Sequence, residues 1–268
     1  MGGLTAEQKQ FYKDNGYILM KDALTKDEVD ELSREYDALF KRKNQSIMEQ
    51  SWVGRRDDDL RITDSPYTVK GIHNLQSHHA CFGQFLTNKR VLDIVEDLME
   101  SPNIMLHHTK AHYKPPSKGA VYPMHQDYPY FPYVNSTPIA AFVHLDAANP
   151  ENGGLHVYPG SHKLGPLPDD ESAEEDNYHF VDKKRWPLEK ATPVIAERGD
   201  VVFFSCLLIH GSSHNTSTRP RRMYLAQFVS ADDRFVHENV RVQPGYGWML
   251  RGVNYDKNES TAERFSHT

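Results

Sequence analysis

The sequence predicts a mainly β protein, an antiparallel sandwich or jelly roll preceded by helices. From about residue 103 onward, short runs rich in aromatic and β-branched residues alternate with turn signals, the rhythm of antiparallel all-β folds. The first hundred residues instead carry helix-start signals and helical spacing. The 268 residues suffice for one large domain with a substantial core, read here as a single unit: a mainly helical part over 1–102, a jelly-roll core over 103–235 and a C-terminal extension over 236–268.

The elements follow in chain order. Thr5 with Gln8, and Thr25 with Glu28, form capping-box patterns, in which the side chains three residues apart satisfy each other's backbone N–H groups. After Thr25, the residues Val29, Leu32, Tyr36, Leu39 and Phe40 recur at helical spacing. "GYILM" between the two helices reads as a short strand. "KRVLDIVEDLME", over roughly 89–100, reads as a helix ended by Ser101-Pro102. In the β half, "IMLHHTKAHY" precedes "KPPSKG", "IAAFVHLDA" precedes "NPENGG", and "LHVYP" precedes "GSHKLGP". "ERGD" opens "VVFFSCLLIH", and "RRMYLAQFVS" follows. Gly153-Gly154 and "PGSHK" read as a hairpin turn and strand exit. One biased segment, "PDDESAEED" at 168–176, holds six acids in nine residues and reads as a solvated loop.

The bulk properties exclude several classes. The net charge of −6 offers no basic field for nucleic acid. Apolar runs such as "VVFFSCLLI" are too short to cross a bilayer. Two cysteines, Cys81 and Cys206, make neither a disulfide framework nor a cysteine zinc site and fit a reducing interior. The chain ends in Ser-His-Thr rather than Ser-Lys-Leu. The expectation is a cytoplasmic protein acting on a small molecule, with no nucleic-acid or membrane partner and an oligomeric state left open.

The stretch "YPMHQDYPYFPY" (122–133) places His125 and Asp127 one residue apart among aromatic side chains. On a regular strand, positions i and i+2 share a face. His210, at the end of "VVFFSCLLIH", is the candidate third ligand. Two histidines and one carboxylate on one face of a metal leave open positions, as non-haem Fe(II) oxygenases require. Fifteen histidines also make an H-x-D pattern common by chance. Arg221, eleven positions after His210, would grip a carboxylate through paired charge-assisted hydrogen bonds, with Ser212 adding a hydroxyl; an exposed basic turn of Arg219, Arg221 and Arg222 is the plainer alternative. The aromatics either wall the metal from water or plug the barrel mouth. The spacing of His210 and His214 in "GSSHNTST" does not make a helical zinc pair.

These stretches together carry a resemblance. "FYKDNGYILMKDALTKDEVDEL", "KPPSKGAVYPMHQDYPYFPY", "PENGGLHVYPGSHK" and "GDVVFFSCLLIHGSSHNTSTRPRR" follow one another as in the phytanoyl-CoA dioxygenase family of Fe(II)- and 2-oxoglutarate-dependent oxygenases, which the sequence resembles over most of its length. The resemblance implies a double-stranded β-helix (jelly roll, cupin-like) core. It implies Fe(II) on His125, Asp127 and His210, with 2-oxoglutarate and O2 as co-substrates. It implies Ser212 and Arg221 on the distal carboxylate of 2-oxoglutarate, and Lys70 as a further co-substrate contact; His107 or His108 is a weaker candidate for approaching it. Because halogenating relatives lack the carboxylate that Asp127 supplies, it implies hydroxylation of an aliphatic C–H with release of succinate and CO2. The namesake activity, 2-hydroxylation of an acyl-CoA, is the alternative. A zinc hydrolase on the same ligands and a non-catalytic jelly-roll binding protein are alternatives of other classes. The acidic segment 168–176 is expected near the site's mouth, where its carboxylates would disfavour CoA phosphates and favour a small neutral or cationic substrate.

Overall fold

The computed structural model describes residues 3–45, 71–117, 121–169, 179–237, 240 and 242–255. Helix α1 (Ala6–Asn15) starts at a complete capping box. Thr5 Oγ1 accepts from Gln8 N at 3.2 Å, and Gln8 Oε1 accepts from Thr5 N at 2.9 Å. Gly16 ends the helix at φ 78°, a left-handed conformation that costs glycine nothing, and turns the chain into β1 (Tyr17–Met20). Thr25 and Glu28 cap α2 (Lys26–Gln45) in the same reciprocal way. The residues predicted for its apolar face, Val29, Leu32, Tyr36, Leu39 and Phe40, are all buried. β2 (Gly71–His73), α3 (Ala80–Leu86) and α4 (Lys89–Met99) complete the first part.

The remaining strands are β3 (Ile104–Lys114), β4 (Tyr122–His125), β5 (Ile139–His144), β6 (Leu155–Val157), β7 (Thr192–Pro193), β8 (Val201–Ser205), β9 (His210–Ser212), β10 (Arg221–Ser230) and β11 (Met249–Arg251). Among the described residues they form two sheets. The larger runs β1-β8-β5-β10-β3-β11, with β2 also on β3; the smaller runs β4-β9-β6-β7. Every pairing is antiparallel. This is the double-stranded β-helix with N-terminal helices.

The large sheet is covered on both faces, so its strands β5 and β8 are nearly continuous apolar runs instead of alternating with polar residues. Val201, Phe203, Ala141, Val143, Tyr224 and Ala226 pack toward the helices in one cluster. Their neighbours Val202, Phe204, Ala140, Phe142, Met223 and Leu225 pack inward, against Leu155 and Val157 of the small sheet. One register shift, between Gln227 and Phe228, inserts His107 as an extra residue in β3.

Two sequence expectations need correction. "VVFFSCLLIH" is not one strand: β8 ends at Ser205, a turn follows, and His210 opens β9 in the other sheet. The Leu208 N–H donates to Ser205 O at 2.9 Å within that turn, and burial of both halves hides the break from hydropathy. The large sheet also takes β1, β2 and β11 from outside 103–235. β2, β7, β11 and α3 were not expected; the three strands have only two or three residues each, too few to carry a readable period.

His107, His108 and His144 are buried. Burial pushes the His107 imidazole down to about 3 and that of His144 to about 4, and holds His108 far below its ordinary value, with neighbouring positive groups adding to the effect. All three fold as neutral rings. Their folded values lie below the unfolded value near 6.5, so between about pH 6.5 and 4 the unfolded chain binds more protons, and stability falls as pH falls. Each ring contributes about 1.4 kcal/mol per pH unit in that window. The urea midpoint of the apoprotein is therefore expected to drop between pH 7 and 4.5; an unchanged midpoint would mean the rings protonate in place.

Candidate metal centre and co-substrate cavity

β4 and β9 pair so that His125 lies opposite His210 and Tyr122 opposite Ser212. Gly211 permits this approach, because a Cβ there would lie 2.7 Å from both Met124 Sδ and Tyr122 O. Each histidine ring is aimed by its own backbone. His125 Nδ1 lies 2.8 Å from Pro123 O, and His210 Nδ1 lies 3.0 Å from Leu208 O. A carbonyl can only accept, so both protons sit on Nδ1, and both Nε2 lone pairs face forward.

Asp127 reaches the same point by a route the i, i+2 argument did not foresee. β4 ends at His125, and Asp127 lies in the following turn at φ −73°, ψ −25°. Its Oδ1 stands 3.7 Å from the Nε2 of each histidine, and all three ligand atoms lie within 4.8 Å of one another. Burial lowers both imidazoles to about 4, with His210 reinforcing the effect at His125, so both are neutral at pH 7. Burial raises the Asp127 carboxyl. Two lone pairs and a desolvated carboxylate converge, an arrangement that a divalent cation completes.

Asp127 Oδ2 accepts from Gln227 Nε2 at 2.7 Å, which leaves Oδ1 turned toward the histidines. Outer-shell partners of this kind are worth about 10–100-fold in metal affinity. Gln227→Leu is expected to weaken Fe(II) binding by that factor while keeping the protein folded, as measured by competition with a chelator. An unchanged affinity would show that the turn alone orients Asp127.

The triad opens into a cavity of about 260 Å³. At its far end Arg221 of β10 faces inward, 2% exposed, with its Nε lacking a hydrogen-bond partner among the described residues. Burial lowers the guanidinium to about 10, so it stays charged. Its register partner on β3 is Lys114, also buried. Lys114 Nζ donates to Ser212 Oγ at 2.7 Å and to Ser213 O. With its oxygen engaged by Lys114, the Ser212 hydroxyl is left to donate its proton into the cavity. Among the described lining residues the only carboxylate is Asp127. Arg222 faces the other way and forks onto Asp146 at 2.6 and 2.9 Å, reaching Asp37 at 2.7 Å. Arg219 is exposed. The basic turn is thus three residues with three environments.

Residues 12–223 match the model of the phytanoyl-CoA dioxygenase (PhyH) family. The chain belongs to that family. It is 30% identical over 250 residues to the peroxisomal phytanoyl-CoA dioxygenase of Bos taurus, covering 87% of this chain and 71% of that one. It is 30% identical over 235 residues to methylphosphonate hydroxylase of Gimesia maris, covering 85% and 82%. Among solved structures, EctD from S. alaskensis with 2-oxoglutarate and 5-hydroxyectoine superposes with a TM-score of 0.72 at 20% identity, covering 92% of this chain and 86% of that one. The His-Asp-His facial triad and the double-stranded β-helix are those of the Fe(II)- and 2-oxoglutarate-dependent oxygenases.

Within this family member the structure brings His125, Asp127, His210, Ser212 and Arg221 to one cavity. Lys70 lies outside the described residues. His108 lines the cavity, whereas His107 packs among Phe131, Tyr133, Phe235 and Tyr246. The aromatic stretch divides between the two roles weighed for it. Tyr122, Tyr130 and Phe131 line the cavity, while Tyr133 is fully buried with Met105 and Val229 in a separate cluster. Gln227 and Lys114 were missed. Both lie at even spacing from inward residues, Gln227 six after Arg221 and Lys114 two after His112, so alternation alone places them on the inner face.

Proposed function

We propose that the protein is an Fe(II)- and 2-oxoglutarate-dependent dioxygenase that hydroxylates an aliphatic C–H bond of a small organic molecule and releases succinate and CO2. One observation carries this reading: a single cavity has a three-donor metal site at one end and, at the other, a buried guanidinium with no carboxylate partner among the described residues. A diacid whose keto-acid end meets a metal and whose far end meets Arg221 fits both. When bound, iron with 2-oxoglutarate couples O2 activation to decarboxylation of the keto acid.

The chain's own contributions are separable. His125 and His210 are held neutral and aimed, Gln227 turns Asp127, Lys114 orients Ser212, and Arg221 supplies the counter-charge. Tyr130, Phe131, Phe142 and Leu155 line the same space and keep bulk water from the reacting centre. Asp127 supplies the carboxylate that halogenating relatives lack, which favours hydroxylation. Both cysteines are buried free thiols, which suits a reducing compartment such as the cytoplasm.

The deciding experiment is anaerobic addition of Fe(II) and 2-oxoglutarate, which is expected to produce a weak visible charge-transfer band. Reconstituted protein that shows no band but binds Zn(II) without 2-oxoglutarate would favour the hydrolase reading instead. A second reading, hydroxylation of an acyl-CoA beside its thioester, draws on the names of the mammalian relatives. A cavity of about 260 Å³ lies at the small end for ligand sites and suits a small molecule, or the reacting end of a larger one. Substrate-stimulated succinate release across acyl-CoAs and small metabolites separates the two.

A further inference from the structure

We propose that 2-oxoglutarate brings a proton with it into this protein: Lys114, directly across the strand pair from Arg221, is an uncharged amine in the empty site and becomes an ammonium when the co-substrate's far carboxylate arrives. The inference rests on the functional reading above and gives Lys114 the part of a positioning residue that titrates with binding.

The antiparallel register sets Arg221 of β10 opposite Lys114 of β3. Directly opposed residues hold their Cβ atoms about 4.5–5.5 Å apart, and like charges there repel. Both residues are 2% exposed, so water screens neither. Two permanent charges so placed would need an anion between them. Among the described residues the pair has none, since the only carboxylate in the cavity wall is Asp127, at the metal end. One of the two groups therefore gives up its charge, and an ammonium does so far more readily than a guanidinium.

The hydrogen bonds of Lys114 fit the uncharged form. Its Nζ has two acceptors, Ser212 Oγ at 2.7 Å and the Ser213 carbonyl. A neutral amine has two N–H donors, whereas an ammonium has three. The third would have the face of Tyr122, whose ring centre lies 5.2 Å away. That contact favours a cation. Burial and then Arg221 outweigh it and hold the ammonium well below its ordinary value. The other groups near Lys114 and Arg221 are neutral at pH 7. Burial keeps His112, two residues back on the same face, and His144, diagonal to Arg221 on β5, as neutral rings. It also pushes the Tyr122 hydroxyl up to about 12.

The co-substrate reverses this balance. A carboxylate held by Arg221 and the Ser212 hydroxyl cancels the charge that opposes the Lys114 ammonium, and Lys114 takes one proton from solvent. A carboxylate and a proton enter together, so this end of the cavity carries one positive charge before binding and one after. As a charged donor to Ser212, Lys114 also polarises the hydroxyl toward the carboxylate, so the proton tightens the grip.

The test loads wild-type protein with Mn(II), which supports binding without turnover. 2-Oxoglutarate is titrated in by calorimetry near pH 8, in buffers of different ionisation enthalpy. The slope of observed enthalpy against buffer enthalpy counts the protons exchanged, and uptake of about one is expected. Above the lowered value of the empty site, the dissociation constant should rise toward about tenfold per pH unit. 2-Oxopentanoate, the same keto acid without the far carboxylate, should bind without uptake. Lys114→Met should bind 2-oxoglutarate more weakly, take up no proton and show an affinity flat with pH. Lys114→Gln replaces it if the methionine variant fails to fold by circular dichroism. Wild-type binding with no proton exchanged would overturn the proposal. So would uptake that persists in Lys114→Met or Lys114→Gln, or equal uptake with 2-oxopentanoate, which would place the proton at the metal end. Wild-type protein without Mn(II)-dependent 2-oxoglutarate binding would overturn the functional reading itself, and this inference with it.

Discussion

His210→Ala and His125→Ala are each expected to abolish 2-oxoglutarate turnover while leaving a folded protein. Each substitution removes one of three donors that lie within 4.8 Å of one another, and two remaining ligands hold iron poorly. Loss of a mere outer-shell partner costs about 10–100-fold, so loss of a ligand should lower succinate release by more than about 100-fold. The two variants differ in their structural cost. His210 is more deeply buried, with its ring 4.6 Å from that of Phe204, so its truncation opens a void against the inner core. His125 lies nearer the cavity, its ring facing Tyr130 at 6.3 Å. Metal content by elemental analysis, succinate by chromatography and folding by circular dichroism separate the effects. A variant that binds no iron yet releases a tenth of the wild-type succinate would show that the ligand assignment is wrong.

The sequence made this triad readable because its members occupy positions where chemistry overrides local preference. A histidine and an aspartate among aromatics, and a histidine closing an apolar run, are polar residues where burial is otherwise the rule. The route by which they converge was not readable. His125 and Asp127 do not share a strand face, and His210 belongs to a different sheet from Val201–Ser205. Hydropathy records that a residue is buried, without recording which of two sheets buries it. The same limit explains the missed short strands. β7 has two residues and pairs through Thr192 and Pro193 alone, so its existence depends on β6 being beside it.

Gln227 and Lys114 illustrate a different loss. Each is a long polar side chain within a strand, and composition assigns such residues to the solvent face. Both are buried because a partner awaits them: Asp127 for Gln227, and the Ser212 hydroxyl with the Ser213 carbonyl for Lys114. The helices were easier to read. Their caps are local, three residues apart, and the Thr5–Gln8 and Thr25–Glu28 pairs need no tertiary context.

Arg221→Met is expected to raise the dissociation constant for 2-oxoglutarate about thirty-fold or more. Truncating one partner of a buried charge pair costs roughly 2–5 kcal/mol, and each 1.4 kcal/mol is about tenfold. The structure adds a second, opposite effect on the free protein. Without ligand, Arg221 is a buried guanidinium whose Nε has no hydrogen-bond partner among the described residues, beside Lys114, whose ammonium is held well below its ordinary value by burial and by Arg221. Replacing such a charge with an apolar side chain of similar length relieves its desolvation. The apoprotein should therefore melt no lower than wild type, while the stabilisation normally gained on adding 2-oxoglutarate and Mn(II) largely disappears. The neighbours supply controls with distinct signatures. Arg222→Ala severs the ties to Asp146 and Asp37 and should lower the melting temperature with little change in 2-oxoglutarate affinity. Arg219 is exposed, and Arg219→Ala should change neither quantity. Arg221→Lys keeps the charge but loses the planar fork that matches a carboxylate, and should fall between wild type and Arg221→Met. If all three alanine or methionine variants weakened 2-oxoglutarate equally, the basic turn would be acting as a diffuse field. A melting temperature of apo Arg221→Met well below wild type would mean that the guanidinium is already paired before the co-substrate arrives.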